Sequence, residues 1–168
     1  MLESVQSVVQ VVEVRRVLES EIAALAAERA TKAQIATMRR AMKSLDNASR
    51  DGQDGGAEDM SLHRAIGEGA VNPQFRLLLG FLEQYLLEGI RITRGNEARR
   101  QDFMNAVRLE HRAIVDAIAA HDPVLARRCA TEHLLRSEQR LVEGGVIAGL
   151  KRKSSTKRNP VTQQKSKA

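Results

Sequence analysis

The chain has 168 residues, 42% of them hydrophobic and only 2% aromatic, with a formal net charge of +6. That length allows one domain with a real core, and its Ala-, Leu-, Arg- and Glu-rich composition favours helices. It has no apolar run long enough for a membrane span and no secretory signal in residues 1–10, and its single cysteine, Cys129, cannot form an internal disulfide, which fits a reducing cytoplasm.

The charge is unevenly placed. Lys151, Arg152, Lys153, Lys157, Arg158, Lys165 and Lys167 lie in residues 151–168 with no acid among them, which leaves residues 1–150 at about −1. The tail is otherwise Ser, Thr, Gln, Asn and Pro, a composition that predicts disorder. Such a tail can touch nucleic acid non-specifically; the simpler reading is a solubilising segment. Residues 1–150 are therefore expected to form the one domain.

A first helix is predicted from about Val8 to Ala30. Val11, Val14, Leu18, Ile22 and Leu25 fall in one arc at helical spacing. Arg15 falls inside that arc and Arg16 outside it. An arginine on a buried face needs an acceptor, which is either an internal acid or carbonyl, or an anionic ligand. Thr31-x-x-Gln34 is a capping box that opens a second helix, with Ile35, Met38, Met42 and Leu45 as its stripe, ending near Arg50. Residues 51–56, Asp-Gly-Gln-Asp-Gly-Gly, read as a turn-rich loop.

A short third helix is expected over about Ala57–Ala70. Asp59 and His63 are one turn apart on it, on the face that carries Leu62, Ile66 and Ala70. A carboxylate on an apolar face costs several kcal/mol unless something pairs with it. Asn72 then caps a fourth helix and Pro73 suits its first position. This helix runs to about Thr93 with Phe75, Leu78, Leu79, Leu82, Leu86 and Ile90, so it is either central or at a subunit interface. Arg91 and Arg94 suit its C-terminus, and Gly95-Asn96 is expected to end it.

A fifth helix is predicted over about Glu97–Ala120, with Met104, Val107, Ile114, Val115 and Ile118 on one stripe and His111 in its middle. Asp122 and Pro123 open a sixth, which runs to about Glu143. The short break makes these two helices antiparallel neighbours. His111 lies eleven residues before Asp122 and His133 eleven after it, about three turns or roughly 16 Å from the bend in each case. The two imidazoles are therefore at matching heights. Either alone would be an ordinary core histidine. Together with an inward Asp/His pair they form the donor set of a metal site: Asp59, His63, His111 and His133. Cys129, one turn before His133, can offer a thiolate, though a lone cysteine is more often core filler.

The order of these features resembles a known family. Glu13-x-Arg15-x-x-Leu18-Glu19 and residues 23–31, Ala-Ala-Leu-Ala-Ala-Glu-Arg-Ala-Thr, resemble the opening helix of the FCD domain, the effector-binding and dimerisation domain of FadR-type regulators in the GntR superfamily. Asp59-x-x-x-His63 followed by Asn72-Pro73 resembles its metal-bearing segment, and His111-x-x-Ile114-x-x-Ala117-Ile118 with Ala126–His133 its last two helices. The likeness covers roughly residues 9–143. It implies an all-α antiparallel bundle of about six helices with a divalent metal in its core, held by Asp59, His63, His111 and His133. Zinc, nickel and manganese are the usual candidates. It also implies a small carboxylate effector at open metal positions, a homodimer, and Arg15 facing the ligand pocket. Members read DNA through an N-terminal winged helix-turn-helix. Only a few residues precede the first helix here, so sequence-specific DNA binding by this chain alone is not expected.

The leading expectation is thus a cytoplasmic, non-enzymatic, metal-dependent carboxylate-sensing domain that controls DNA binding through effector-induced helix shifts. A helical-bundle metalloenzyme is an alternative, against which stands the absence of Glu-x-x-His pairs: Glu132 and His133 are adjacent. A plain helical dimerisation module with core histidines is the other.

Overall fold

Helix α1, Val5–Arg29, is the element around which the others are arranged; α3, α4, α5 and α6 all pack on it. The computed structural model describes residues 5–146, and the side chains of residues 7–80 and 87–146 among them. Every regular element in that span is a helix: α2 Lys32–Arg50, α3 Gly56–Gly69, α4 Pro73–Glu97, α5 Gln101–Ala119 and α6 Pro123–Glu143. No helix among the described residues is long and apolar enough to cross a membrane. The basic segment 151–168 lies outside the described residues, as do the side chains of Leu82 and Leu86.

The central place of α1 follows from its small residues. Ala23, Ala24, Ala26 and Ala27 are each at most 1% exposed, so neighbours approach its backbone on more than one side. Gly69 of α3 reaches in from another element: a Cβ there would collide with the Met38 side chain and press on Ala26. The apolar face differs from the expected arc. Val8, Val12, Arg15, Ile22 and Ala26 are buried, while Val14 is 45% exposed. The Ala-rich half has several packed faces, so one arc does not describe it.

The predicted caps form. The Thr31 side chain accepts from the Gln34 backbone N–H, and the Gln34 side chain accepts from the Thr31 N–H. Asn72 caps α4 and Asp122 caps α6, each followed by proline. Helix α4 runs on through Gly95 and Asn96, so that pair does not end it. Buried Arg94, Asn96 and Glu97 hold its last turn through tertiary hydrogen bonds, which outweigh glycine's cost of about 1 kcal/mol. Helix α5 therefore starts later than expected, at Gln101.

The α5–α6 hairpin closes the bundle. Ile114, Val115 and Ile118 join Ile22, Met38 and Leu62 in the main core. Full burial of each such side chain is worth about 1.5–3 kcal/mol. At the bend, His121 adopts φ 55° and donates from Nδ1 to the carbonyl of Ala27 at 2.8 Å, fastening the hairpin to α1.

Candidate metal centre

Three histidines from three helices meet inside the bundle. His63 of α3, His111 of α5 and His133 of α6 each offer a ring nitrogen within 4.8 Å of the others. The rings of His111 and His133 have centroids 4.5 Å apart, as their equal distance from the hairpin bend requires. Asp59, one turn before His63, sets Oδ2 3.4 Å from His63 Nε2 and Oδ1 3.4 Å from His111 Nε2. Asp59, His111 and His133 are buried and His63 nearly so. Cys129 is half-buried against the core and outside this group.

Two of the imidazoles are oriented by carboxylates that the sequence reading did not single out. His133 Nδ1 donates to Glu110 Oε2 at 2.9 Å. His63 Nδ1 lies 2.8 Å from Glu19 Oε2. In both cases the carboxylate takes the Nδ1–H, so that in the neutral ring the Nε2 lone pair is the one left over, the usual arrangement behind a metal-binding histidine. Arg15 supports this at His63. A guanidinium can only donate, and its Nη2 lies 3.2 Å from His63 Nε2, so that nitrogen carries the lone pair in the neutral ring.

Arg15 was expected to reach a ligand. It is 2% exposed and donates from Nε to Glu19 Oε1 at 2.7 Å. It is not among the described residues that line the adjoining cavity. The internal-acid reading of its position is the one the geometry realises. Arg94, read as a helix-end charge, is buried instead and donates to the carbonyl of Asp54, to Ser49 and to Glu97. Arg91 is exposed near the helix end.

Charge in the cluster is tightly coupled. Burial opposes ionisation of Glu19, but Arg15 and His63 outweigh it and hold its carboxyl far below the usual range. Burial also opposes a charged His63, yet Glu19 and Asp59 prevail and hold the ring up at about 9. Burial and the neighbouring His133 push His111 well below the usual imidazole value, so it is neutral. Behind His133 the network continues. Arg140 donates through Nη1 and Nη2 to the two oxygens of Glu110, 2.9 Å each, and through Nε to Glu97 at 2.8 Å.

Against this background the unpartnered atoms are specific. Of the four buried side-chain atoms without a hydrogen-bond partner among the described residues, three lie here, Asp59 Oδ1 and both nitrogens of His111, and the fourth is Asn96 Oδ1. A buried polar atom left so costs about 1–3 kcal/mol. Anionic oxygen and neutral imidazole nitrogen are donors that a divalent cation accepts. A cavity of about 230 Å³ adjoins the cluster, with Glu19, His63 and His133 among its lining residues.

Residues 10–136 match the family model described as "FCD domain". The chain is 30% identical over 134 residues to the HTH-type transcriptional regulator LutR of Bacillus subtilis, covering 79% of this chain and 61% of that protein. It is 30% identical over 134 residues to the galactonate operon transcriptional repressor of Escherichia coli, covering 78% of this chain and 56% of that protein. The HTH-type transcriptional repressor NanR of Escherichia coli is 33% identical over 126 residues, covering 73% and 46%. A solved structure, Streptococcus agalactiae GntR, superposes with a TM-score of 0.67 at 20% identity over 83% of this chain and 61% of that one, a likeness of fold. The chain spans less than two thirds of each of these proteins.

Proposed function

The chain belongs to the FCD domain family, and on that premise we propose that it is the effector-sensing domain of a GntR-type transcription regulator whose Asp59, His63, His111 and His133 hold one divalent metal ion. The observation that carries this reading is the set of unpartnered buried atoms, Asp59 Oδ1 and the His111 nitrogens, beside two imidazoles whose Nδ1 atoms are tied to carboxylates. One cation would take up Asp59 Oδ1 and one nitrogen of His111 together. Zinc suits this donor set best, and nickel or manganese would also be accepted.

Glu19 and Glu110 orient His63 and His133, and Arg15 fixes Glu19. The role of Arg15 in ligand binding is then indirect, through the ring it helps to hold. Bound there, the metal would supply a Lewis-acidic anchor for the carboxylate of a small effector in the adjoining cavity. That cavity is walled by α1, α3, α4, α5 and α6. An occupant can therefore bias how these helices sit, and a coupling of about 1–3 kcal/mol is enough to alter DNA affinity in a longer regulator. Exposed Leu77 and Leu78 of α4 would suit contact with a second copy. The relatives are transcription regulators rather than enzymes, which sets the metalloenzyme alternative aside.

Metal analysis of the purified chain tests the reading. We expect about one divalent ion per chain after reconstitution, lost in His111→Ala and in His133→Ala while helix content is kept. No bound metal in the reconstituted native chain would overturn it. A thermal shift with small carboxylates, with and without chelator, tests sensing: the shift should need the metal.

A further inference from the structure

The cavity beside the histidines has an apolar body. Ile22, Met60, Ile66, Ile90, Ile114 and Leu134 line it, each at most 6% exposed. The polar groups it does contain fall into two places. Glu19, His63 and His133 belong to the metal-centre cluster. Arg64, Glu68 and Arg76 are exposed, so they belong to its solvent side. Between them, among the described residues, the wall offers no side-chain donor or acceptor. The wall is also helical, so its backbone groups are bonded within the helices.

The inner polar groups are already committed. Glu19 serves Arg15 and His63, and His133 Nδ1 serves Glu110. A ligand hydroxyl lying along these described apolar residues would lose its water and find no replacement partner among them. A methylene there would gain by leaving water.

Resting on the reading that the histidine cluster anchors a carboxylate, we propose that the effector is a monocarboxylic acid with an apolar tail, aliphatic or aromatic, rather than a polyhydroxylated sugar acid. Its carboxylate lies at the His63–His133 end and its tail among Ile22, Met60, Ile114 and Leu134. Without a cation that end has little to offer a carboxylate, because Arg15 and His63 are already paired with Glu19. The tail alone then does not hold the acid.

Calorimetric titration of the zinc-loaded chain with acetate, hexanoate, benzoate and D-gluconate tests this. Hexanoate or benzoate should bind at least about tenfold tighter than acetate, and at least about tenfold tighter than D-gluconate. Leu79→Gln, which places an amide on a half-buried lining position, should weaken hexanoate and leave acetate unchanged. D-gluconate binding as well as hexanoate would overturn the apolar-tail proposal and leave carboxylate sensing standing. So would equal affinity for acetate and hexanoate. No binding of any of the four acids would overturn both.

Discussion

His63 Nδ1 on α3 lies 2.8 Å from Glu19 Oε2 on α1, so the central helix sets the angle of a ring that points into the histidine cluster. Glu19 is not near enough in sequence to be read as part of the Asp59/His63 pair, yet it decides which nitrogen of His63 is free. Glu19→Gln keeps an oxygen acceptor and removes the charge. We expect metal affinity to fall by about 10- to 100-fold with all four proposed donors intact. Competition with a chelating dye measures this. An unchanged affinity would mean that His63 does not need Glu19 to present Nε2.

The same pair predicts opposite pH responses for the metal-free and metal-loaded chain. In the metal-free chain His63 titrates at about 9, above its usual 6.5. A raised value means that the folded state favours the proton. That stabilisation is complete below about 6.5 and is lost as pH rises toward 9. The loss amounts to roughly 3 kcal/mol. Denaturant unfolding of chelator-treated protein should therefore give lower stability at pH 9 than at pH 6.5. Metal must displace that proton, so zinc affinity should instead rise from pH 6.5 to 9. A metal-free chain whose stability is flat over this range would remove the charged His63–Glu19–Asp59 arrangement.

A third expectation concerns the charges behind His133. Arg140 bridges Glu97 and Glu110, and all three are buried. Arg140→Met would remove the cation that these two buried carboxylates share, leaving Glu97 to Arg94 and Glu110 to His133 and Arg136. Removing one partner of a buried network costs about 3–5 kcal/mol. Arg140→Lys keeps the charge and loses the forked geometry, so it should cost less. Urea unfolding of the two variants ranks them. Equal losses would show that shape rather than charge is what matters there.

What could be read beforehand divides along physical lines. Local signals were legible: Thr31, Asn72 and Asp122 cap because their side chains reach backbone N–H groups two or three residues on, and this needs no tertiary context. The approach of His111 to His133 was legible too, because a short bend and helical rise fix their heights. The second layer of the cluster was not. Glu19 and Glu110 are unremarkable helix acids in sequence, and only the packing of α1 on α3 and of α5 on α6 brings them to imidazoles. One signal was present: Arg140 lies two turns after His133 on the same face, and an inward arginine requires an acid. The end of α4 was misjudged for the same reason, since Arg94 and Asn96 are held by α2, the loop before α3, and α6.

His121 separates the hairpin's fastening from its chemistry. It is a non-glycine residue at φ 55°, a conformation that histidine visits more readily than most but that still strains a Cβ. What offsets the strain is the bond from Nδ1 to the Ala27 carbonyl. His121→Ala keeps the strain and loses the bond, and should cost about 1 kcal/mol. His121→Gly loses the bond but relieves the strain, so it should be the milder change. Both lie about 16 Å along the helices from His111 and His133, so metal stoichiometry should be unchanged in either. Thermal unfolding with metal analysis of the two variants checks both halves. Metal loss in His121→Gly would mean that the bend, and not only the helices, sets the distance between the two rings.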